Sequence, residues 1–365
     1  MIRRTVVVGS ILALPAALVR LLVGRGANRL LDAPRVLPEE AGLSSAVDAL
    51  GGEIVRLRSR DGLRLAGRWL PADYGAGEGD GTAEGDRTGD SAEEPWRPDP
   101  YEAILLLHGW SGSIAPDLVE YGPSLRRTAG VLGLDFRGHG DSEPAATTFG
   151  LHEVEDVAGA LAWLGERGIT RVALVGSSMG GITALASIAV LGDGSLPSAD
   201  IDPNAPAHDV EPPRPRIVGA VVESVPPELT VGVGNRMRVP FRRFVAGRMF
   251  EAAGRRVGGD MRATEPIRIA GLLEPVPILL IHGAADRTVP LADGRRLAAA
   301  IGPQAEHWIV PGAAHSAAHA ADPAGYEARV AAFLRRVFSD ARPDQPIIGR
   351  PGFDDAPAGG GQEGD

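Results

Sequence analysis

The stretch from Arg171 to Leu191, RVALVGSSMGGITALASIAVL, constrains the fold more than any other part of the sequence. It begins with a short apolar run that favours a buried strand and ends with residues typical of a helix. Between them, Gly176 and Gly180 flank Ser178 in the pattern G-x-S-x-G. Glycines are needed there if the chain turns sharply, because a side chain would collide with the neighbouring backbone. The segment therefore predicts a strand that turns abruptly into a helix, with the Ser178 side chain lifted away from the sheet.

Apolar runs alternate with helical segments over most of the chain. Two alternating segments joined by Asp61 and Gly62 predict an antiparallel hairpin at the start. Further strands are predicted at YEAILLL, GVLGLDF, IVGAVVES, VPILLIHG and EHWIVPG. This alternation implies an α/β fold with a mostly parallel sheet covered on both faces. Ligands of such sheets bind beyond the carboxyl ends of the strands.

One large domain is predicted over residues 50–338, with three polar segments outside its core. Residues 73–99 and 339–365 are rich in Gly, Pro and acids and together carry a charge of -11, against -10 for the whole chain. We predict that both are disordered, because they hold too few apolar residues to offset the entropy of ordering. Residues 192–216 form a Pro-rich loop. The acidic balance argues against a nucleic-acid partner.

The amino terminus predicts association with a membrane. Arg3 and Arg4 precede an apolar stretch from Thr5 to Gly24. Its length approaches the roughly 20 residues that span a bilayer, and no convincing small-x-small cleavage site follows it. Residues 1–30 are therefore interpreted as an uncleaved anchor of undetermined orientation, with a signal peptide and secretion as the alternative. The absence of cysteine suits either side of a membrane.

Three residues suited to nucleophilic catalysis follow three predicted strands. Ser178 follows RVALVG, Asp286 follows PILLIHG, and His315 follows HWIVPG. A serine hydroxyl needs an imidazole to accept its proton, and the imidazole needs a carboxylate to orient it and stabilise its charge. Glu223, at the end of the strand between those of Ser178 and Asp286, is a second candidate for the acid. The spacing thus predicts a nucleophile, a base and one of two acids at a single edge of the sheet.

With these residues in place, the sequence resembles the α/β-hydrolases over about Glu53 to Phe338. The resemblance rests on Gly176–Gly180, His108–Trp110, Asp135–Ser142, His282–Pro290 and Gly312–Ser316. It is closest to the serine aminopeptidase and lysophospholipase-like branch, some members of which carry an amino-terminal membrane anchor. It implies an eight-stranded, mostly parallel sheet with helices on both faces and a short helical lid at 225–273. The order Ser, Asp, His and the motif HGAADRTVP favour Asp286 over Glu223.

The resemblance also implies a mechanism. His315 deprotonates Ser178, which attacks an acyl carbonyl, while Asp286 orients His315. The amides of Met179 and Trp110 stabilise the oxyanion, and water releases the acyl group. The reaction requires no metal and no organic cofactor. A serine at the elbow disfavours the epoxide and halide chemistry of relatives that use an aspartate.

Other polar residues of these motifs are assigned structural roles. We predict that His108 and His282 position backbone and that His139 shapes the floor of the site. The acids Asp135 and Asp141 are predicted to bond loop backbone. The remaining candidates, His307 and His319, are interpreted as structural or surface residues.

The predicted lid intersperses arginines with Met, Val and Phe in NRMRVPFRRFVAGRMFEAAGRR. Such a helix suits a membrane-facing lid or an anionic lipid, and a solvated cap whose arginines pair with acids is the alternative. The expected function is hydrolysis of a carboxylic ester in a small-molecule or lipid-like acyl substrate. A peptidase or thioesterase would use the same residues. A non-catalytic binding protein is disfavoured, because no member of the triad is missing.

Overall fold

The computed structural model describes residues 20–33, 42–74, 96–110, 112–192, 214–273 and 275–342. The strands are β1 (Glu53–Arg58), β2 (Arg64–Leu70), β3 (Glu102–Leu107), β4 (Gly130–Leu134), β5 (Arg171–Ser177), β6 (Arg216–Glu223), β7 (Ile278–Gly283) and β8 (Ala305–Val310). They form an eight-stranded sheet in the order β1-β2-β4-β3-β5-β6-β7-β8. β2 is antiparallel to β1 and β4, and every other neighbouring pair is parallel.

Helices cover both faces of this sheet. They are α1 (residues 20–31), α2 (Ser44–Ala49), α3 (Ala115–Leu125), α4 (Glu153–Gly165), α5 (Met179–Leu191), α6 (Leu229–Arg236), α7 (Arg242–Val257), α8 (Pro266–Ile269), α9 (Leu291–Ile301), α10 (Ala318–Ala321) and α11 (Pro323–Ala341), with a 3₁₀ turn at Ala270–Leu272. One buried apolar cluster joins the sheet to α4 and α5, and a second joins it to α3 and α11. β3 is buried along its whole length because its side chains alternate between the two clusters. The predicted fold is confirmed.

The predicted lid is a helical insertion between β6 and β7. It comprises α6, α7, α8 and the 3₁₀ turn. Ala246, Met249, Phe250 and Ala253 of α7 are buried, so this helix is fixed to the domain along one side. Its other side leaves arginines and Phe244 exposed to solvent, and Phe241 just before the helix is exposed as well.

The described part of the predicted anchor packs against the domain. In α1, Ala27, Leu30 and Leu31 are buried in the apolar cluster that also contains Met249 of α7. The carbonyl of Leu31 accepts a hydrogen bond from the Thr147 amide at 2.8 Å. Within the described ranges, no helix has the length and apolar character needed to cross a membrane. Residues 1–19, which hold most of the predicted anchor, lie outside the described residues.

Two predicted boundaries differ from those of the structure. α11 continues through Ala341, past the expected end at Phe338, because Arg342 beyond it forms two 3.0 Å hydrogen bonds with the buried Glu102. At the end of the predicted acidic insertion, the Trp96 indole donates to the Thr128 carbonyl at 3.0 Å. Most of that insertion, the Pro-rich loop and the tail, residues 75–95, 193–213 and 343–365, lie outside the described residues.

Candidate active site

Ser178 lies on a strained turn between β5 and α5. Its φ is +50° and its ψ is -111°, a conformation that non-glycine residues rarely adopt. A Cβ on Gly180 would lie 2.1 Å from the Leu107 carbonyl oxygen, and one on Gly176 would lie 2.6 Å from the Gly180 carbonyl carbon. The glycines of the motif are therefore required by close backbone approach, as their spacing predicts. The turn points the Ser178 side chain beyond the carboxyl edge of the sheet.

The structure brings Ser178, His315 and Asp286 together. Nε2 of His315 lies 3.2 Å from Oγ of Ser178, and Nδ1 of His315 lies 2.8 Å from Oδ2 of Asp286. An ionised carboxylate can only accept hydrogen bonds, so Nδ1 must donate to Asp286. In the neutral imidazole, Nε2 is then free to accept the serine proton.

The loop after β7 keeps the Asp286 carboxylate in place. Oδ1 accepts hydrogen bonds from the amides of Thr288 and Val289, both at 2.8 Å. Burial opposes ionisation of Asp286, but His315 and these two amides outweigh it and hold the pKa below its ordinary value. The site thus contains a preorganised negative charge against the imidazole.

Glu223, the second candidate acid, contacts the histidine loop but not the imidazole. Its Oε1 accepts from the Ala318 amide at 2.9 Å, and the carbonyl of Glu223 accepts from the Ser178 amide at 2.8 Å. The neighbouring Ser224 hydroxyl accepts from the Ser316 amide at 3.0 Å. Burial raises the pKa of Glu223 to about 7, and the Ala318 amide opposes that shift. The end of β6 therefore connects the turn at Ser178 to the loop that carries His315, a link with no motif of its own in the sequence.

The two histidines of the His-Gly pairs position backbone, as predicted. His108 donates from Nδ1 to the Gly109 carbonyl at 2.7 Å and accepts at Nε2 from the Phe136 amide at 3.1 Å. Burial is the main reason that its pKa falls to about 3, so this tautomer is neutral. Nε2 of His282 lies 2.8 Å from the Val289 carbonyl and steadies the loop that holds Asp286.

The other residues that were assigned structural roles also contact loop backbone or neighbouring side chains. Oδ1 of Asp135 accepts from the Ile114 amide at 2.7 Å, and its Oδ2 accepts from the Asp141 amide at 3.0 Å. His139 is fully buried beneath His108, with ring centroids 4.9 Å apart. Further from the site, the His319 imidazole lies 3.0 Å from the Glu120 carboxylate.

Two cavities meet at Ser178 and His315. The apolar pocket has a volume of only about 20 Å³ and is lined mainly by Trp110, Phe149, Ile182, Leu229, Val233 and Val289. The mouth cavity has a volume of about 250 Å³, and its polar lining includes Ser113, Asp117 and Ser316. Arg236, which sequence reasoning treated only as one of many lid arginines, lines both.

The two predicted oxyanion donors lie beside Ser178. Met179 is the first residue of α5, so its amide has no carbonyl partner one turn earlier in that helix. Trp110 follows β3, and its ring packs against Phe149 with centroids 5.9 Å apart. Within the described residues, no three His, Cys, Asp or Glu side chains converge in an arrangement that would hold a metal.

Comparison with known proteins identifies the family. The sequence profile described as "Alpha/beta hydrolase family" matches residues 104–329, more than half of the chain. The chain belongs to the alpha/beta hydrolase family. This hydrolase-family protein is 23% identical over 272 residues to the uncharacterized protein YfhR of Salmonella typhi. The aligned region covers 72% of this chain and 74% of YfhR.

Solved structures of the same fold are also distant in sequence. The Pyrococcus furiosus esterase Pf2001 is 20% identical with a TM-score of 0.56, and the match covers 84% of this chain and 98% of that one. A membrane phospholipase A, described as a bacterial virulence factor, is 17% identical with a TM-score of 0.51 over 91% of this chain and 98% of that one. At these identities, the likeness establishes the shared fold.

Proposed function

We propose that this alpha/beta hydrolase family member is a serine hydrolase that cleaves carboxylic esters through an acyl-enzyme on Ser178. The observation that carries the proposal is the continuous contact from Ser178 Oγ through His315 to Asp286, at the meeting point of two cavities. A serine, an imidazole and a buried carboxylate in this order are the parts that acyl transfer needs.

Each proton in the proposed reaction moves through His315 Nε2. As Ser178 Oγ bonds to the carbonyl carbon, its proton passes to Nε2, and Asp286 stabilises the resulting imidazolium. Collapse of the tetrahedral intermediate breaks the bond to the alcohol oxygen, which takes the proton from Nε2. A water molecule then gives a proton to Nε2 and attacks the acyl carbon. The acid leaves as Ser178 Oγ recovers the proton.

We further propose that the amides of Met179 and Trp110 stabilise the oxyanion. Both residues line the apolar pocket beside Ser178. Main-chain donors fixed at a strand end and a helix start lose little freedom when charge develops, so they lower the barrier efficiently. No metal or organic cofactor takes part in this scheme.

Among ester, thioester and amide substrates, we favour esters. The acyl chain would occupy the apolar pocket, and the alcohol portion would occupy the mouth cavity. The aromatic and aliphatic lining of the pocket suits an acyl chain, and lining side chains must move to admit one because the pocket holds only about 20 Å³. The names of two structural neighbours, an esterase and a phospholipase, agree with this choice. A peptidase or thioesterase would use the same triad. The ratio of kcat/KM for an ester, a thioester and an anilide with one shared acyl group distinguishes the three.

We also propose that the substrate is lipid-like and that the enzyme works at a membrane, as expected for those members of the serine aminopeptidase and lysophospholipase-like branch that carry a membrane anchor. The supporting feature is the lid tip, defined as Val239, Phe241 and Phe244 with the flanking Arg238 and Arg242. Phe241 is 85% exposed and Phe244 is 68% exposed. Exposed aromatic rings beside cations are typical of surfaces that enter the headgroup region. A nucleic-acid partner forms no part of the proposal.

The first test is covalent labelling with a fluorophosphonate probe, with the adduct located by peptide mass spectrometry. We expect the adduct on Ser178 and its loss in Ser178→Ala and His315→Ala. Ser177→Ala is the matched control, because it removes the adjacent hydroxyl and should still be labelled. No adduct on the folded wild-type protein, or an adduct on Ser177, would contradict the proposal and favour a binding role for the fold.

A further inference from the structure

Arg236 occupies a position at the site that the triad mechanism does not use. It is the last residue of α6, the first helix of the insertion, and it lines the apolar pocket and the mouth cavity together with Ser178 and His315. A guanidinium is charged at any physiological pH and presents five N–H donors in a planar fork. The site therefore has a fixed cation beside its nucleophile.

Among the described residues, Arg236 forms no ion pair. Its Nη1 donates to the Gly232 carbonyl one turn earlier, at 3.3 Å, which leaves its other donors for a ligand. Four other insertion arginines do pair with carboxylates: Arg243 with Asp293 at 3.4 Å, Arg248 with Glu251, Arg262 with Glu265 at 2.9 Å, and Arg268 with Glu265 at 3.0 Å.

Arg236 is exposed to solvent at the mouth of the site. The surrounding protein lowers its pKa by partial desolvation, and the charge of Asp286 opposes that shift. Asp117 lines the same mouth cavity, and burial together with Glu120 and Glu223 raises its pKa to about 7. This shift makes Asp117 a weaker competitor for the guanidinium than an ordinary carboxylate. Because Arg236 is exposed in the lining of the mouth cavity, an anionic ligand there can reach its unused donors.

We infer that Arg236 is the anion-binding residue of the substrate site, and that the preferred esters carry a carboxylate or phosphate on the alcohol portion. This inference rests on the proposed ester hydrolysis. The apolar pocket takes the acyl chain, so the alcohol and its charged group extend into the mouth cavity. Arg236 borders both spaces, which places its fork next to a charge a few bonds from the ester oxygen.

The test uses three butanoyl esters with one acyl group and different alcohols. These are the esters of ethylene glycol, of 2-hydroxyethyl phosphate and of 3-hydroxypropanoate, and the release of butanoate gives kcat/KM for each. We expect the wild-type protein to prefer at least one anionic ester by about 10- to 100-fold, the range of a charge-assisted hydrogen bond. Comparison of kcat/KM for the phosphate-bearing and the carboxylate-bearing ester identifies which anion is recognised.

Arg236→Gln should abolish that preference, because kcat/KM should fall at least about tenfold more for the preferred anionic ester than for the neutral ester. Arg238→Gln, which removes an exposed arginine two residues further along, is the matched control and should retain the preference. Equal wild-type turnover of neutral and anionic esters would overturn the inference. So would a uniform loss in Arg236→Gln, because that would assign Arg236 to holding the end of α6.

A binding measurement separates this inference from the proposed function. In the Ser178→Ala variant, calorimetry with 2-(butanoyloxy)ethyl phosphate and with the 3-hydroxypropanoate ester should give binding to at least one, which Arg236→Gln removes. If the wild-type protein hydrolyses no ester and takes up no fluorophosphonate, the proposed function fails. Arg236-dependent binding would then still support the anion site, and no binding of either ester would overturn it.

Discussion

The carboxyl edge of the sheet and the helical insertion hold their charged side chains in different ways. At the sheet edge, Asp286 and Glu223 each accept hydrogen bonds from amides of the short loops that follow β7 and β8. In the insertion, Arg243 pairs with Asp293 of α9 and Arg262 pairs with Glu265, whereas the exposed Arg236 pairs with no carboxylate in the described chain. The sheet edge thus fixes its carboxylates through main-chain donors, whereas in our proposal the insertion presents Arg236 to a ligand.

This difference follows from burial. The end of β6 is nearly inaccessible to solvent, so each polar group there needs a protein partner. The lid tip is exposed, and ion pairs at such positions contribute little to stability. Substitutions at the sheet edge should therefore change rate or folding strongly, and those in the insertion should change which ligands or surfaces are bound.

The largest effect is expected at Asp286. Asp286→Asn keeps the size of the side chain but removes the charge that stabilises the imidazolium and selects its tautomer, so kcat should fall by about 10⁴-fold. Glu223→Gln should lower kcat by less than about tenfold, because its amide oxygen still accepts from Ala318. Steady-state kinetics with one soluble ester tests both variants. A larger loss in Glu223→Gln would identify Glu223 as the functional acid.

The second largest effect is expected from a substitution that disturbs backbone packing at the turn around Ser178. An alanine at Gly180 would place its Cβ 2.1 Å from the Leu107 carbonyl oxygen, so Gly180→Ala should lower the free energy of unfolding by about 3 kcal/mol. Gly271 in the insertion has open space at the same position, and Gly271→Ala should be neutral or slightly stabilising. Urea denaturation compares them. Equal stabilities would mean that the turn tolerates a side chain.

Glu223 should make stability depend on pH. Its pKa of about 7 lies above its ordinary value of 4.5, so between these values the folded protein binds more protons than the unfolded chain. The free energy of unfolding should therefore decrease from about pH 5 to about pH 8, by up to about 3 kcal/mol from this group. Glu223→Gln should show a shallower decrease in Tm over that range. Parallel curves for the two proteins would refute this role.

The smallest effect is expected at the lid tip. Phe241→Ser and Phe244→Ser should each weaken binding to vesicles that contain anionic lipid, by a factor of about 10. Neither change should affect turnover of a soluble ester. Val190→Ser, at the far end of α5 from Ser178, replaces another exposed apolar residue and should leave vesicle binding intact. Equal sedimentation of all four proteins with vesicles would argue against a membrane-facing lid.

Much of this architecture was predictable because its signals are local. Strands buried on both faces must be continuously apolar, and the turn at Ser178 needs glycine at Gly176 and Gly180 whatever surrounds it. The end of α11 was misplaced because the ion pair of Arg342 with Glu102 joins residues far apart in the chain. The role of α1 was missed for a similar reason, since Leu30 and Leu31 are buried only by contacts with distant parts of the domain.

The sequence by itself determined the α/β order, the nucleophile turn and the three strand ends that carry Ser178, Asp286 and His315. Only the tertiary structure decided which carboxylate contacts the imidazole and which lid arginine faces the site. Glu223 ends β6 and Asp286 follows the neighbouring β7, and their contacts diverge because the loop after β7 directs the Asp286 carboxylate to Nδ1 of His315 whereas the Glu223 carboxylate accepts from the Ala318 amide. Residue type and spacing define what a side chain can do, and three-dimensional packing selects its partner.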